Sequence, residues 1–457
     1  MGIKTTCNCL IFSFILISVG CSTQLTHDRG YVSDSINNRT GHNLASVENE
    51  DGLRLPDNIS LTDGLTEDEA VAIALWNNAR FQADLTGLGF SRADLIEAGM
   101  LSNPVFSIFL PAGPKQMEAT LFTPIESLLQ RPYRLSVAKL SAERVAENLV
   151  QSGLNLVRDV MITYTNLTFS QALVNIAKEE TELNDEILTI VQARLQAGEI
   201  SGLEETAFQL EAARKQRTLV GYTRDATILD AELKIFLGLE QEENTLKLVP
   251  TQFDINRNFN FEDLLTVAYA ARPDIRAAEI AIEEAGKRLG WERSKIFKFT
   301  AIVDYNERGR SGSEFGPGAM FELPIFNWNN GKITRSKAQF EQAVREYVAI
   351  KQDIAFKVRE AYTNYLSAQE ALKVLSSDIL PSAITVADKA GKRYSVGEIA
   401  YQDFLEFKRQ LLNSRLIEAE SVAELHRASA QLRHSLGFKQ DMLKTKESEF
   451  AELNNEL

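Results

Sequence analysis

Cysteine is confined to the very start of this sequence. All three cysteines lie within the first 21 of its 457 residues, so the rest of the chain can form neither an internal disulfide nor a thiolate metal site. The histidines lack metal-ligand spacing and suitable partner residues; they are His27, His42, His426 and His434. Motifs of serine hydrolases, P-loop proteins and zinc peptidases are missing too. These absences predict a protein that is not an enzyme and uses no metal or cofactor.

Positive charge is also in short supply. The chain has 49 Lys and Arg residues against 63 Asp and Glu residues, a net charge of −14, and it has no basic run. Nucleic-acid binding needs a concentrated basic surface, because the phosphates must be neutralised. We therefore expect no nucleic-acid partner.

Long apolar runs are missing as well, apart from one near the N-terminus. Residues 10–19 follow Lys4 and are too few to cross a bilayer as a helix, but they have the length of a signal-peptide core. We therefore predict a signal peptide over residues 1–20 and export from the cytoplasm. The near absence of cysteine suits an oxidising compartment.

The sequence around Cys21 resembles a bacterial lipobox, in which the cysteine is lipidated and becomes the mature N-terminus. Gly20 and Cys21 fit that pattern, whereas Ser18 stands where an aliphatic residue is usual. The alternative is an ordinary cleavage nearby, which would leave Cys21 as an odd free thiol. An exposed thiol would be a liability in an oxidising compartment, so lipidation of Cys21 is the favoured interpretation.

What the sequence does contain is a repeat, with an offset of 199 residues. The two copies stay in register without insertion for about 45 residues, up to a Leu-Gly pair at 237–238 and at 436–437. Three matched pairs show the register: Arg194 with Arg393, Gly198 with Gly397, and Glu204 with Asp403. Such a repeat predicts one pseudo-symmetric body in place of several independent domains.

Each copy predicts the same order of elements: helix, strand, strand, very long helix, glycine turn and returning helix. The first helix begins with Thr66 as N-cap and Glu69 as its capping-box partner, and runs to about residue 100. Its counterpart covers about 261–294. Strands are predicted at 105–110 and 115–122 in the first copy, and at 297–306 and 319–325 in the second, where a glycine-rich loop, 307–318, separates them.

The long helices are the largest predicted elements. No proline occurs between Pro132 and Pro250, and apolar residues recur at steps of three and four. A helix over 133–197 would be roughly 100 Å long, which is typical of a coiled coil or an α-barrel wall. The second tract, 332–396, has the same length, and Pro381 is predicted to kink it.

These patterns divide the chain into six segments. They are a signal peptide (1–20), a lipidated N-terminal tether without sustained periodicity (21–64), a first repeat (65–239), a linker (240–260), a second repeat (261–438) and a charged tail (439–457).

The four predicted strands are near the roughly 9–11 residues that a tilted strand needs to cross a membrane. Unpaired strand edges cannot face lipid, and four strands cannot close a barrel. Several chains must therefore contribute if these strands form a membrane pore.

The second hairpin tip carries two carboxylates, Asp403 and Glu406, which are three residues apart and so share one helix face. The first copy has Glu204 and Ala207 at the corresponding positions, so the pair occurs only once. On an isolated helix the pair would be a solvated acidic face. If the helix lines a closed ring, the pair would instead form stacked rings of like charge, which favours a selective constriction.

The doubled order of elements, with Arg-x-x-x-Gly at each tip, resembles the TolC-type outer-membrane efflux factors over about residues 65–438. The tip sequences Tyr394-Ser-Val-Gly397 and Asp403-x-x-Glu406 carry the most specific part of the resemblance. Cys21 is similar to the lipidated cysteine of that family's lipoprotein members.

This resemblance implies a mainly α fold with a small β part. Three copies would form a homotrimer in the outer membrane of a Gram-negative bacterium, each giving four strands to one transmembrane β-barrel and its long helices to a periplasmic α-barrel. The tips would dock a periplasmic adaptor and, through it, an inner-membrane pump; the tip residues are Arg194, Gly198, Glu204, Arg393, Tyr394 and Gly397.

The resemblance further implies that Asp403 and Glu406 form the periplasmic gate of a passive efflux conduit. The family's closing ion pair is not preserved, because Ile399 stands at its basic position; Arg393 or Lys392 would have to replace it. The competing interpretation is a non-conducting coiled-coil lipoprotein of the cell envelope. That alternative explains the helices and the lipid anchor, but it leaves two strand pairs of membrane-spanning length without a role.

Overall fold

The computed structural model of the chain is mainly helical and contains one four-stranded sheet. This confirms the predicted fold class. The expected signal peptide, Cys21 and the charged tail lie outside the described residues, which are 26–45, 55–56, 59–61, 63–110, 117–250, 259–309 and 312–437.

The helices and strands follow the predicted order in both halves of the chain. The first half contains α1 (Arg29–Thr40), α2 (Glu67–Asn77), α3 (Ala79–Leu85), α4 (Gly87–Gly99), β1 (Val105–Phe109), β2 (Glu118–Pro124), α5 (Glu126–Gln196) and α6 (Gly202–Leu237). The second contains α7 (Phe261–Ala271), α8 (Pro273–Ser294), β3 (Lys298–Gly309), β4 (Gly312–Glu322), α9 (Asn330–Val374), a π-helical turn (Leu375–Ile379), α10 (Leu380–Ser395) and α11 (Tyr401–Leu436).

The chain divides into two compact units, and the first is built mainly from Thr86–Glu147 and Arg276–Tyr347. It contains the antiparallel sheet, with strand order β1-β2-β3-β4. The two strand pairs join through β2 and β3, with Leu121 opposite Val303. Thr120 on β2 donates a hydrogen bond of 2.7 Å to Asp304 on β3. The two repeats thus build a single sheet, which agrees with the expected single pseudo-symmetric body.

The second strand pair is longer than the sequence indicated. Residues 307–318 were predicted to be a glycine-rich loop, and this is wrong: β3 continues to Gly309 and β4 begins at Gly312. Gly316 and Gly318 lie opposite Asp304 and Ile302. Glycine weakens an isolated strand, but here the partner strand satisfies the backbone hydrogen bonds, so tertiary pairing overrides the local propensity.

The second unit comprises mainly Val32–Leu85, Asn148–Ile275 and Val348–Leu457, and it contains the helical hairpins. The returning helices α6 and α11 each have 36 residues and end at the matched Leu-Gly pairs. Between α9 and α10 the helix widens into the π-helical turn immediately before Pro381. Proline lacks the N–H that an α-helix needs at that point. Pro381 therefore interrupts the helix, as the sequence indicated.

Two helices predicted as continuous are divided. The first breaks at Asn78, whose buried side chain accepts a 2.9 Å hydrogen bond from the Phe81 N–H and donates one of 3.1 Å to the carbonyl of Phe236. The segment 261–294 breaks at Pro273, because proline cannot donate to the preceding turn. The predicted start of the first helix is confirmed, since Thr66 and Glu69 form a capping box.

Part of the segment interpreted as an N-terminal tether is an ordered helix. Val32, Ile36 and Thr40 of α1 are buried. Helix α1 packs closely on α5, because a Cβ atom at Gly153 would lie only 2.5 Å from the Ile36 Cδ1. The helix was not predicted because residues 22–60 are mostly polar. Its three buried residues are four positions apart, which is a helical spacing.

None of the helices in the described parts of the chain is long and apolar enough to cross a lipid bilayer.

Two of the four histidines, His426 and His434, are largely buried on α11. Burial, reinforced by nearby arginines, lowers the pKa of His426 to about 4 and that of His434 to about 3. Both are therefore neutral core residues near pH 7.

Candidate functional site: the helical hairpin tips

The two hairpin tips have the same backbone turn. Gly198 and Gly397 adopt left-handed conformations, with φ of 74° and 75°. This conformation suits glycine because it has no Cβ. In each tip the residue after the glycine donates a 2.9 Å hydrogen bond to a carbonyl five residues earlier, from Glu199 to Arg194 and from Glu398 to Arg393. The matched glycines of the repeat thus make matched turns.

Each turn is also closed by the same ion pair. The Nε of Arg194 lies 3.1 Å from a carboxylate oxygen of Glu199, and the Nε of Arg393 lies 3.0 Å from one of Glu398. Both pairs are exposed, so each stabilises its turn by less than about 1 kcal/mol. Arg393 is therefore engaged within its own turn in this structure, and is not latched to another element of the described chain.

The tips differ in how the returning helix begins. At the start of α6, Ser201 and Glu204 form a capping box: the Glu204 N–H donates to the Ser201 hydroxyl, and the Ser201 N–H donates to the Glu204 carboxylate at 2.8 Å. Hydrogen bonds from the Ser201 backbone and hydroxyl lower the pKa of Glu204. Helix α11 has Ala400 at the equivalent position and no side-chain cap. Glu204 therefore has a structural task that Asp403 does not have.

The capping difference predicts opposite effects of two exchanges. Ser201→Ala should destabilise the start of α6 by about 1 kcal/mol, because one N–H loses its acceptor. Ala400→Ser should stabilise the start of α11 by up to a similar amount, since Asp403 lies where a capping-box partner is needed. Hydrogen exchange of the first-turn amides measures both effects. If the first-turn amides of either variant exchange at the wild-type rate, the assigned capping difference is wrong.

Asp403 and Glu406 lie on the exposed surface of α11. Glu406 accepts a 3.3 Å hydrogen bond from Gln410, within the same helix. Among the described residues, Asp403 has no hydrogen-bond or ion-pair partner. The structure thus leaves this carboxylate available to solvent, ions or a partner molecule.

A cluster of aromatic and aliphatic side chains packs behind the acidic face. The rings of Tyr394 and Phe404 stack with centroids 5.2 Å apart, and Tyr401 lies 5.2 Å from Tyr394. Next to them, Leu405 is buried against α5; its neighbours in this core are Leu183, Ile187, Val191 and Leu412. This core places the first and second hairpins side by side and fixes the start of α11.

Tyr401 and Phe404 were not among the residues singled out from the sequence, although Tyr394 was. The sequence did contain a signal for them, because aromatic residues flank Gly397: Tyr394 precedes it, and Tyr401 and Phe404 follow it three residues apart. Tyr401 is partly buried, and this burial raises the pKa of its hydroxyl.

A second contact between the hairpins lies further along α11. Arg415 forms a 3.1 Å ion pair with Glu179 of α5. Within the first hairpin, Lys215 of α6 forms a similar 3.1 Å pair with Glu180. The acidic residues of α5 thus orient both returning helices.

Comparison with known proteins agrees with this architecture. Residues 264–438 match the model of the family described as outer membrane efflux proteins. This match, together with the fold, confirms the resemblance found in the sequence. The chain is thus similar to the outer membrane efflux proteins, by a family match over residues 264–438. The description of that family names efflux proteins of the outer membrane.

The chain also resembles individual proteins along most of its length. It is 20% identical to the cobalt-zinc-cadmium resistance protein CzcC of Cupriavidus metallidurans, over 82% of this chain and 90% of CzcC. The solved structures that share its fold include two with a TM-score of 0.64. The outer membrane protein VceC of Vibrio cholerae is 16% identical, covering 82% of this chain and 96% of VceC. The open-state MtrE channel of Neisseria gonorrhoeae is 15% identical, covering 86% and 97%.

Proposed function

We propose that this protein is the outer-membrane channel of a tripartite efflux system. In this proposal it is a passive homotrimeric conduit that receives its cargo from a periplasmic adaptor and an inner-membrane pump. The observation that carries the proposal is the open four-stranded sheet. Its outer strands, β1 and β4, have no further partner strand in the described chain, and both carry exposed apolar side chains such as Phe106, Phe109, Phe315 and Phe321.

Open strand edges with apolar side chains are unstable in water and cannot face lipid. Pairing β4 of one copy with β1 of the next removes every edge once the ring closes. Three copies would supply twelve strands, which suffices for a barrel with an open lumen. A lone structural lipoprotein would leave these edges unsatisfied.

Cysteine cross-linking tests this pairing against a background that has no cysteine after Cys21. Ser107→Cys on β1 would be combined with a series of single cysteines along β4, beginning with Ala319→Cys. Cross-linked dimers and trimers are expected for at least one position, because the two edges would adjoin in neighbouring copies. The matched control uses Thr120→Cys, which lies opposite Ser107 on the interior strand β2. Absence of cross-links along all of β4, or equal cross-linking in the control, would refute edge pairing.

The hairpin tips are the proposed contact with the adaptor, and Asp403 with Glu406 are the proposed gate. What supports the gate is the contrast between the two tips. Glu204 is occupied by its capping box, whereas the Asp403 carboxylate lacks a partner among the described residues. A trimer would bring three copies of the acidic pair around one axis. Stacked carboxylate rings attract cations and repel anions.

The proposal includes lipidation at Cys21, which would anchor the mature N-terminus to the periplasmic leaflet of the outer membrane. Replacement by serine should abolish incorporation of labelled fatty acid, because the hydroxyl is not a substrate for thioether formation. Assembly should weaken but persist, since a closed barrel holds the protein in the membrane without the anchor. Unchanged labelling of the Cys21→Ser protein would exclude lipidation at this residue.

A further inference from the structure

A polar recess lies in the first unit at one end of the sheet. It has a volume of about 390 Å³, and among the residues lining it are Ser127, Arg134, Lys295, Lys298, Glu322 and Lys332. Lys298 and Glu322 form the first residue pair of β3 and β4, at the end opposite their hairpin turn. The recess therefore lies where the strands connect to the helices. We call it the junction recess.

Exposed apolar side chains adjoin the junction recess. Phe326 is 99% exposed, and Phe297, Phe321 and Trp328 are also at least half exposed. Large aromatic side chains are costly to leave in water, and in membrane proteins they gather at the level of the lipid headgroups. If the strands cross the membrane, as the proposed function requires, this end of the sheet lies at the periplasmic membrane surface.

The charges of the recess favour an anion. Its lining carries four cations, from Arg134, Lys295, Lys298 and Lys332, against the carboxylates of Glu126 and Glu322. Lys298 is paired with Glu322 at 2.6 Å. Lys295 is paired at 2.6 Å with Glu292, a carboxylate just outside the lining. The net charge of the recess therefore stays positive even when the carboxylate of Glu292 is included.

Two of the four cations are placed to bind a ligand. Arg134 is held by 2.7 and 3.2 Å hydrogen bonds from its Nη2 to the carbonyls of Met100 and Ser127. These bonds fix the guanidinium without neutralising its charge. Lys332 interacts electrostatically with Glu292 and helps to lower the pKa of that carboxyl, but it forms no ion pair with a carboxylate in the described chain. Its ammonium group is thus the one best able to contact an added anion.

We infer that the junction recess binds the phosphate group of an anionic phospholipid from the periplasmic leaflet of the outer membrane, with Lys332 as its main contact. The recess supplies positive charge for the phosphate, and the adjoining exposed Leu323, Ile325 and Phe326 supply an apolar surface for acyl chains. A soluble anion would use only the first of these features. The inference rests on the proposed membrane position of the sheet.

Lipid retention by the purified full-length protein tests this inference. Delipidated protein would be mixed with vesicles of phosphatidylcholine containing or lacking phosphatidylglycerol, and bound lipid would be counted by native mass spectrometry. Lys332→Gln should weaken phosphatidylglycerol binding about tenfold, the effect of losing one charge-assisted contact. The matched control is Lys337→Gln, an exposed lysine on the same helix outside the recess; it should bind as the wild type does.

Three results would overturn the inference: equal binding by the Lys332 and Lys337 variants, equal binding of the two lipids, or displacement of the lipid by millimolar inorganic phosphate. The last result would identify a site for free anions. Conductance and particle mass, measured on the same samples, separate this inference from the proposed function. A conducting trimer with unchanged lipid binding in Lys332→Gln refutes only the lipid site, whereas a wild-type protein that is monomeric and silent refutes the proposed function.

Discussion

Channels that carry Asp403→Ala together with Glu406→Ala should lose most of their preference for cations. In the proposed trimer these two residues form six carboxylates at two levels of the periplasmic mouth, about one helical turn apart. Removing them takes away the negative potential that concentrates cations and repels anions at a narrow point. The permeability ratio, measured from reversal potentials in a planar bilayer with a salt gradient, should fall towards the ratio of ion mobilities in free solution.

Block by multivalent cations should weaken in the same variant by about tenfold or more, since such ions depend on several carboxylates at once. Glu204→Ala is the matched control, because Glu204 occupies the equivalent position of the first tip and is bound within its own capping box. Its removal should change the selectivity little. A double variant with wild-type ion preference and wild-type block would show that Asp403 and Glu406 form only a solvated helix face.

Gly238→Ala should be among the most destabilising single substitutions in the helical unit. Gly238 ends α6 with a φ of 68°, and a Cβ atom at this position would lie 2.9 Å from both the Cβ and the carbonyl oxygen of Asn77. The left-handed conformation costs a non-glycine residue about 1 kcal/mol, and the close contact with backbone adds about 1–3 kcal/mol. We expect a loss of about 2–4 kcal/mol in the free energy of unfolding.

The repeat supplies two controls for this measurement. Gly198→Ala has nearly the same φ, 74°, but no atom lies within 4 Å of its added Cβ, so only the backbone strain of about 1 kcal/mol applies. Gly437→Ala, with a φ of 73°, meets the Cγ of Arg272 at 3.3 Å and should give an intermediate loss. Thermal unfolding of the three detergent-solubilised variants gives the order. Equal losses of unfolding free energy in the three variants would show that the contact with Asn77 relaxes without an energetic cost.

The repeat architecture could be predicted from the sequence because its signals are strong and doubled. The glycines at 198 and 397 mark turns that need a left-handed backbone conformation, which glycine adopts easily, and both turns are present. The returning helices extend to the matched Leu-Gly pairs because apolar spacing persists over their whole extent. Long periodic segments bury a continuous stripe, so local pattern and tertiary packing agree.

Other parts could not be predicted because tertiary contacts decide them. Helix α1 is stabilised by its fit against Gly153, a contact between residues far apart in the chain. Strand β4 contains glycines that indicated a loop, and only its pairing with β3 makes it a strand. At the tips, the sequence could only nominate Asp403 and Glu406 as gate residues. The capping role of Glu204 and the stacking of Phe404 on Tyr394 depend on side-chain geometry.

Single-channel recording on the purified full-length protein tests whether it is a trimeric channel. We expect a detergent-soluble particle with three times the 51.1 kDa mass of one chain, less the signal peptides and plus any lipid. Inserted into a planar bilayer, this particle should give uniform conductance steps that favour cations. A stable monomer, or a trimer that never conducts at any voltage or pH, would exclude a channel and favour the structural coiled-coil lipoprotein.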